Sequence, residues 1–201
     1  MIIDDKRFIL PLNNYLQIET KKTQIVIGHT NNNDMKHYHG WLHKHNKKYK
    51  KTAAFTIDVN GCIYKHFEPK FVSKYFDDKE LDSKSIVILI ENQGWLIRKL
   101  PDETFYNWKG DIYKDRVVGK LWRGYNTWSH YSDEQFESAV ELVKYLCKEY
   151  DIPNYVFGHN TKAYDLTGYE GVLYKSNIEK HFTDLSPAWD FGEFKDKIET
   201  N

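Results

Sequence analysis

Four histidines, His37, His39, His43 and His45, stand in an HxHxxxHxH pattern. On a helix, His39 and His43 lie one turn apart on a shared face, a spacing that can hold a metal. A solvated polar helix face carries the same pattern. Another histidine, His29, closes the run IVIGH, in which three strand-forming residues are followed by glycine. Either His29 ligates a metal there, or Gly28 marks a site that has been lost. Three further residues have types suited to chemistry: Glu91 after SIVILI, His159 after YVFG, and Asp184 before Leu-Ser-Pro. Each also has a plain structural reading. A histidine at a strand end can bond to backbone, and an aspartate commonly opens a turn.

These residues need elements to carry them. Gln24–Ile27 reads as a β-rich apolar strand, and His37–His45 as a short helix. Ala53–Asp58 and Cys62–His66 form a hairpin pattern around Val59-Asn60-Gly61, since Asn-Gly is a strong turn signal. Ser85–Ile90 is a continuous apolar run that suits a central strand buried on both faces. The clearest helix runs from Ser132 to Tyr150. Ser132 can cap it, Gln135 sits at the capping-box position, and Asp133 and Glu134 favour its dipole. Phe136, Val140, Val143 and Cys147 recur along it at helical spacing. Tyr155–Gly158 reads as another strand, and TDLSPAWDF as a turn with an aromatic anchor. Residues 95–131 are Trp-rich and irregular, and read as an insertion covering one side of a cleft. Alternating strands and helices predict an α/β fold: a single domain with a mixed central sheet flanked by helices. Residues 1–20 form an N-terminal arm, and residues 21–201 the domain.

Composition narrows the function classes. The chain has 201 residues, 29 basic and 29 acidic, so no global field attracts nucleic acid. The stretch Lys36–Lys51 is the local exception, with six lysines, four histidines and no acid. It suits an anionic polymer, and equally a solvated basic helix and loop. Aromatics make up 16% of the chain, which is ample amphipathic contact area for sugar or peptide. Two cysteines make no disulfide framework. The first residues carry acids where a signal peptide would be basic, and no apolar run is long enough to span a membrane.

Several of these segments together resemble the N-acetylmuramoyl-L-alanine amidase type 2 family, which includes phage lysozyme-type amidases and peptidoglycan recognition proteins. IVIGHT resembles the first ligand strand, SIVILIEN the strand usually written SIGIELVN, VFGHN the VVGH strand, and TDLSPAW the TDPGPLFPW tail. The resemblance covers about Thr23 to Phe191. It implies the amidase fold and one zinc, held by His29, His159 and Asp184, with Glu91 as the assisting carboxylate. Zinc would polarise the amide carbonyl and activate a water. The resemblance is imperfect at the first ligand. The family's ligand lies two positions before the Thr, and here that position is Gly28. His29 reaches the metal only if the strand bulges or ends there. Other family positions are also changed. Ala53 stands at the catalytic tyrosine position, Leu89 at the glutamate position, and Phe182 where a lysine often precedes the last ligand.

The resemblance thus implies a zinc-dependent amidase cutting between N-acetylmuramic acid and L-alanine in bacterial peptidoglycan. The alternative is a metal-free module that binds peptidoglycan or serves as a virion component. Asn92, Asn160, Thr161, Ser176 and Asn177 are expected to hydrogen-bond glycan or stem peptide, with Trp95 as a stacking surface and Trp189 as a second one or a core plug. The expected partner is peptidoglycan, with no membrane and no nucleic acid. With no signal peptide expected, the protein would be made in a host cytoplasm and act at the wall as a phage lysin, or ride in a virion.

Overall fold

The structure is a computed structural model that describes residues 1–43, 51–101, 103–161, 165–179 and 181–200. His45 and most of the basic stretch after His43 lie outside the described residues. The chain opens with β1 (Ile3–Asp4), β2 (Leu16–Glu19), β3 (Gln24–His29) and α1 (Lys36–His43). Next come β4 (Phe55–Ile57), β5 (Ile63–Lys65), β6 (Phe71–Val72), α2 (Lys79–Lys84) and β7 (Ser85–Ile90). The middle holds β8 (Ile97–Lys99), β9 (Thr104–Tyr106), β10 (Ile112–Tyr113), β11 (Val117–Trp122) and β12 (Tyr125–Ser129). The chain closes with α3 (Asp133–Glu149), β13 (Gly171–Tyr174), α4 (Lys175–Ile178) and α5 (Phe191–Glu199).

Six strands form one mixed sheet in the order β1-β5-β4-β7-β3-β13. Its centre is parallel, and only β4 and β5 run antiparallel to each other. Every residue of β3 and β7 is buried. Their apolar runs, Ile25–Ile27 and Ile86–Ile90, follow from a position covered on both faces. The β4–β5 turn is held by Asp58, whose Oδ1 accepts from the Asn60 and Cys62 amides, each at 2.9 Å. Gly61 has φ +79°, and a Cβ there would lie 2.6 Å from the Glu134 carbonyl oxygen, so only glycine fits.

The capping box of α3 forms as the sequence predicts, with both Ser132–Gln135 hydrogen bonds at 3.1 Å. Gln135 then donates to the Glu91 carbonyl at 2.7 Å, tying the helix start to the end of β7. Ala139, Leu142, Val143 and Leu146 are fully buried beneath α3. Burial of each leucine contributes about 1.5–3 kcal/mol relative to exposure. Among the described residues, no helix is long and apolar enough to cross a membrane.

Three expectations change. Tyr155–Gly158 is not a strand. It makes one bridge, Val156 to Val172, and β13 takes the place beside β3. The stretch 95–131 is not irregular: it folds as a three-stranded meander, β8–β10, and a β11–β12 hairpin. The tail continues past its turn into α5, whose Phe194 and Ile198 are buried. The first twenty residues contribute β1 to the sheet edge and pair β2 with β6.

Candidate functional site

The site lies where β3 ends, and alternation along that strand decides its chemistry. Gly28 pairs in register with Leu89, and His29 with Ile90, so the two point to opposite faces. On the Gly28 face, a Cβ would lie 2.8 Å from Asp184 Oδ2, 3.2 Å from the Tyr75 hydroxyl and 3.3 Å from Leu89 Cδ2. The Asp184 carboxylate therefore rests against bare backbone. It accepts from the His29 amide at 3.2 Å and is 1% exposed.

Two cations attend this carboxylate. Lys175, the first residue of α4, holds Nζ 3.7 Å from Asp184 Oδ2 and 3.8 Å from Glu179 Oε2. Its ammonium stands 3.7 Å from the Phe182 ring centroid and 5.1 Å from that of Tyr75. Arg123, at the β11–β12 turn, donates to the carbonyls of Phe182 and Ser176 and lies over the Trp122 ring. Burial lowers the Arg123 pKa, and the nearby Asp184 charge opposes that shift. Burial, helped by the charges of Asp184 and Glu179, pushes the Tyr75 phenol well above its ordinary value.

The two histidines border this pair but take other direct partners with their rings. His29 Nδ1 hydrogen-bonds the Tyr131 hydroxyl at 2.9 Å. Its Nε2 is buried without a well-formed partner, close to Gly94 and the Asn31 side chain. Burial lowers its pKa. His159 stacks on Phe191 at 3.6 Å between centroids and lies 4.9 Å from Trp122. Burial, then the positive charges of Arg123 and Lys120, bring it down to about 4.

These placements correct the expected zinc triad. Burial disfavours the charged form of both imidazoles, and each keeps a buried Nε2 without a well-formed partner, as a metal ligand would. They form no three-ligand cluster with Asp184 among the described residues, however. The His29 ring leaves β3 on the face opposite Gly28, and Gly28 has no side chain to ligate. Among the described residues, no group of three His, Cys, Asp or Glu side chains could hold a metal. The cations Lys175 and Arg123 add charge of the wrong sign for a dication. The residues as placed do not fit a three-ligand zinc.

Glu91 belongs to a separate network. Its Oε1 accepts from the Met35 amide at 2.6 Å and lies 3.8 Å from His37 Nδ1. His37 Nε2 meets Thr56 Oγ1 at 2.9 Å, Thr56 meets His66 Nε2 at 2.8 Å, and His66 Nδ1 donates to the Phe8 carbonyl at 2.7 Å. Burial raises Glu91 to about 7. It also lowers His37 to about 3, with help from His66 and His39, and His66 to about 4. Glu91 lines a cleft of about 550 Å³ with Asn92, Tyr113, His130 and Gln135.

The expected substrate-binding residues divide. Asn92 spends its amide inside the protein, donating to the Ser129 and His130 carbonyls and accepting from Gly94 and Ser129. Asn177 accepts from the Tyr174 amide and donates to the Gly158 carbonyl. Ser176 is buried and leaves Oγ unpaired. Trp95 stacks on Tyr125 at 4.6 Å. Asn160 and Thr161 are exposed in the turn after His159. Trp189 is 3% exposed and packs on Tyr131, Phe136 and Phe194, so it is a core plug. Lys175, Arg123, Tyr75 and Tyr131 were not singled out by their spacing. The oddity of Gly28 was the one available signal that its neighbourhood had been rebuilt.

A family model described as N-acetylmuramoyl-L-alanine amidase matches residues 19–169, about three quarters of the chain. The chain belongs to the N-acetylmuramoyl-L-alanine amidase family. Its class is therefore hydrolase, with peptidoglycan as the target, in line with the enzyme that the sequence favours. Solved structures agree on the fold of this amidase-family domain. One is PlyL, with TM-score 0.61 and 15% identity over 100% of this chain and 98% of that one. Another is the endolysin amidase LysCS from Clostridium intestinale URNW, with TM-score 0.59 and 14% identity over 100% and 97%. A third is AmiD from E. coli, with TM-score 0.55 and 13% identity over 90% of this chain and 59% of that one. At these identities the likeness shows the fold alone. A search of curated proteins finds no match.

Proposed function

We propose that this domain acts on bacterial peptidoglycan at the amide between N-acetylmuramic acid and L-alanine, as a phage lysin. One observation carries the reading: the family match spans β3, β7 and the Glu91 cleft. The AmiD structure holds anhydro-N-acetylmuramic acid-L-Ala-D-gamma-Glu-L-Lys, which supports a muropeptide as ligand class here. The cleft beside Glu91 mixes polar side chains such as Gln93, His130 and Gln135 with apolar ones such as Val59 and Ile112, and suits a glycan or peptide. A carboxyl raised to about 7 can give or take a proton near neutrality.

A second reading, a domain that holds peptidoglycan without cutting it, is favoured by a specific observation. The first-ligand position is bare, and Leu89 and Phe182 replace polar family residues around it. The test is release of new amino termini from purified peptidoglycan, alongside co-sedimentation with it. Release that is lost in Glu91→Gln supports the amidase. Co-sedimentation without release supports the binding module. Neither release nor binding across several wall types refutes both.

A further inference from the structure

We propose that Lys175 is the resident cation of the Asp184 pocket, taking the charge-balancing place that a metal would fill, so that this domain is built to be metal-free there. A buried carboxylate needs a positive partner, and removing that partner is strongly destabilising. The Asp184 side chain is 2% exposed and that of Lys175 8%, with Nζ 3.7 Å from Oδ2. The topology delivers Lys175 to this point. β13 pairs in parallel with β3, Tyr174 opposite Ile27, and Lys175 is the next residue along. It therefore arrives level with Gly28, the residue that leaves room for the Asp184 carboxylate.

The surroundings suit an ammonium and oppose a dication. The Phe182 ring offers its face at 3.7 Å and the Tyr75 ring at 5.1 Å, which favours a compact cation. Glu179 contributes a second carboxylate at 3.8 Å, shared with Lys51 at 3.5 Å. The β11–β12 turn closes the pocket with a further positive charge, Arg123, pinned to the Phe182 and Ser176 carbonyls. Its neighbour Trp122 covers the His159 ring. The positive charge comes from Lys175 at the start of α4. None of this depends on whether the domain cuts peptidoglycan.

The test combines metal content with a double-mutant cycle, neither of which reads activity. The purified full chain is mixed with an equivalent of zinc, desalted and measured by elemental analysis. The expected result is far less than one zinc per chain. Stoichiometric zinc that is lost in Asp184→Asn overturns the proposal. In thermal melts, Lys175→Met is expected to lower Tm by on the order of 10 °C in the wild-type background. In the Asp184→Asn background the same change should cost only a small part of that, because a neutral side chain needs no cation. Lys175→Arg should retain most of the wild-type Tm. Equal losses in both backgrounds overturn the proposal. If Lys175→Met does not fold, the zinc measurement and the melt of Lys175→Arg still decide: an arginine that melts as low as Asp184→Asn refutes the charge role.

Discussion

Replacing Gly28 by alanine tests whether the bare position at the end of β3 is required or incidental. In an ordinary strand, alanine is better than glycine by roughly 0.5–1 kcal/mol, because it loses less backbone entropy on folding. Here the new methyl would lie 2.8 Å from Asp184 Oδ2, 3.2 Å from the Tyr75 hydroxyl and 3.3 Å from Leu89 Cδ2. The closest of these is the end of a side chain, and such a group can often swing away. Asp184 is not free to do so. Its Oδ2 accepts from the His29 amide and faces the Lys175 ammonium. Moving it weakens both contacts inside a pocket with almost no exposure. Overpacking of this kind costs about 1–3 kcal/mol, which outweighs the backbone gain. A net loss of about 1–2 kcal/mol follows, and a chain of this size loses roughly 2–4 °C per kcal/mol. We therefore expect Gly28→Ala to melt about 2–8 °C below wild type, by calorimetry or circular dichroism, with an unchanged fold. An unchanged or raised Tm would refute the reasoning. It would mean that the Asp184 carboxylate is not packed against the strand.

Other predictions concern the buried titratable groups and the helix cap. Glu91 is raised from 4.5 to about 7, so the native state holds a proton that the unfolded chain releases. Stability should fall as pH rises from about 4.5 to 7, and Glu91→Gln should flatten that slope in urea titrations. His66 is lowered from 6.5 to about 4, so its contribution is complete above pH 6.5 and lost as pH falls towards 4. His66→Gln should lose less stability than wild type over that acid range, measured as the change in urea midpoint. Ser132→Ala removes the cap of α3 and should cost about 1 kcal/mol by urea denaturation, with a partial rescue by Ser132→Asp, which restores the cap but cannot donate to the Val59 carbonyl as the serine does.

Much of the frame was legible because local rules acted without opposition. SIVILI is apolar on both faces, so it became the buried parallel strand β7. Asn-Gly made the turn between β4 and β5, and Ser132 with Gln135 built the capping box of α3. Where pairing partners are distant, the local signal failed. Tyr155–Gly158 has the composition of a strand, but GVLY, some fifteen residues later, paired with β3 instead. The insertion looked irregular because its strands are two to six residues long and partly exposed, with little apolar periodicity to betray them.

By itself, the sequence determined the family pattern, the central strands and the doubt over Gly28. The period of two along a strand already required Gly28 and His29 to face opposite ways. Only the tertiary structure decided what fills the space beside the glycine. Asp184 lies far along the chain from Gly28, and Lys175 and Arg123 come from two further elements, α4 and the β11–β12 turn. Their meeting depends on the parallel register of β13 on β3 and on the insertion folding back as a hairpin. Long-range pairing of that kind leaves no mark on local spacing, so the charge balance of the pocket emerges only when the chain is folded.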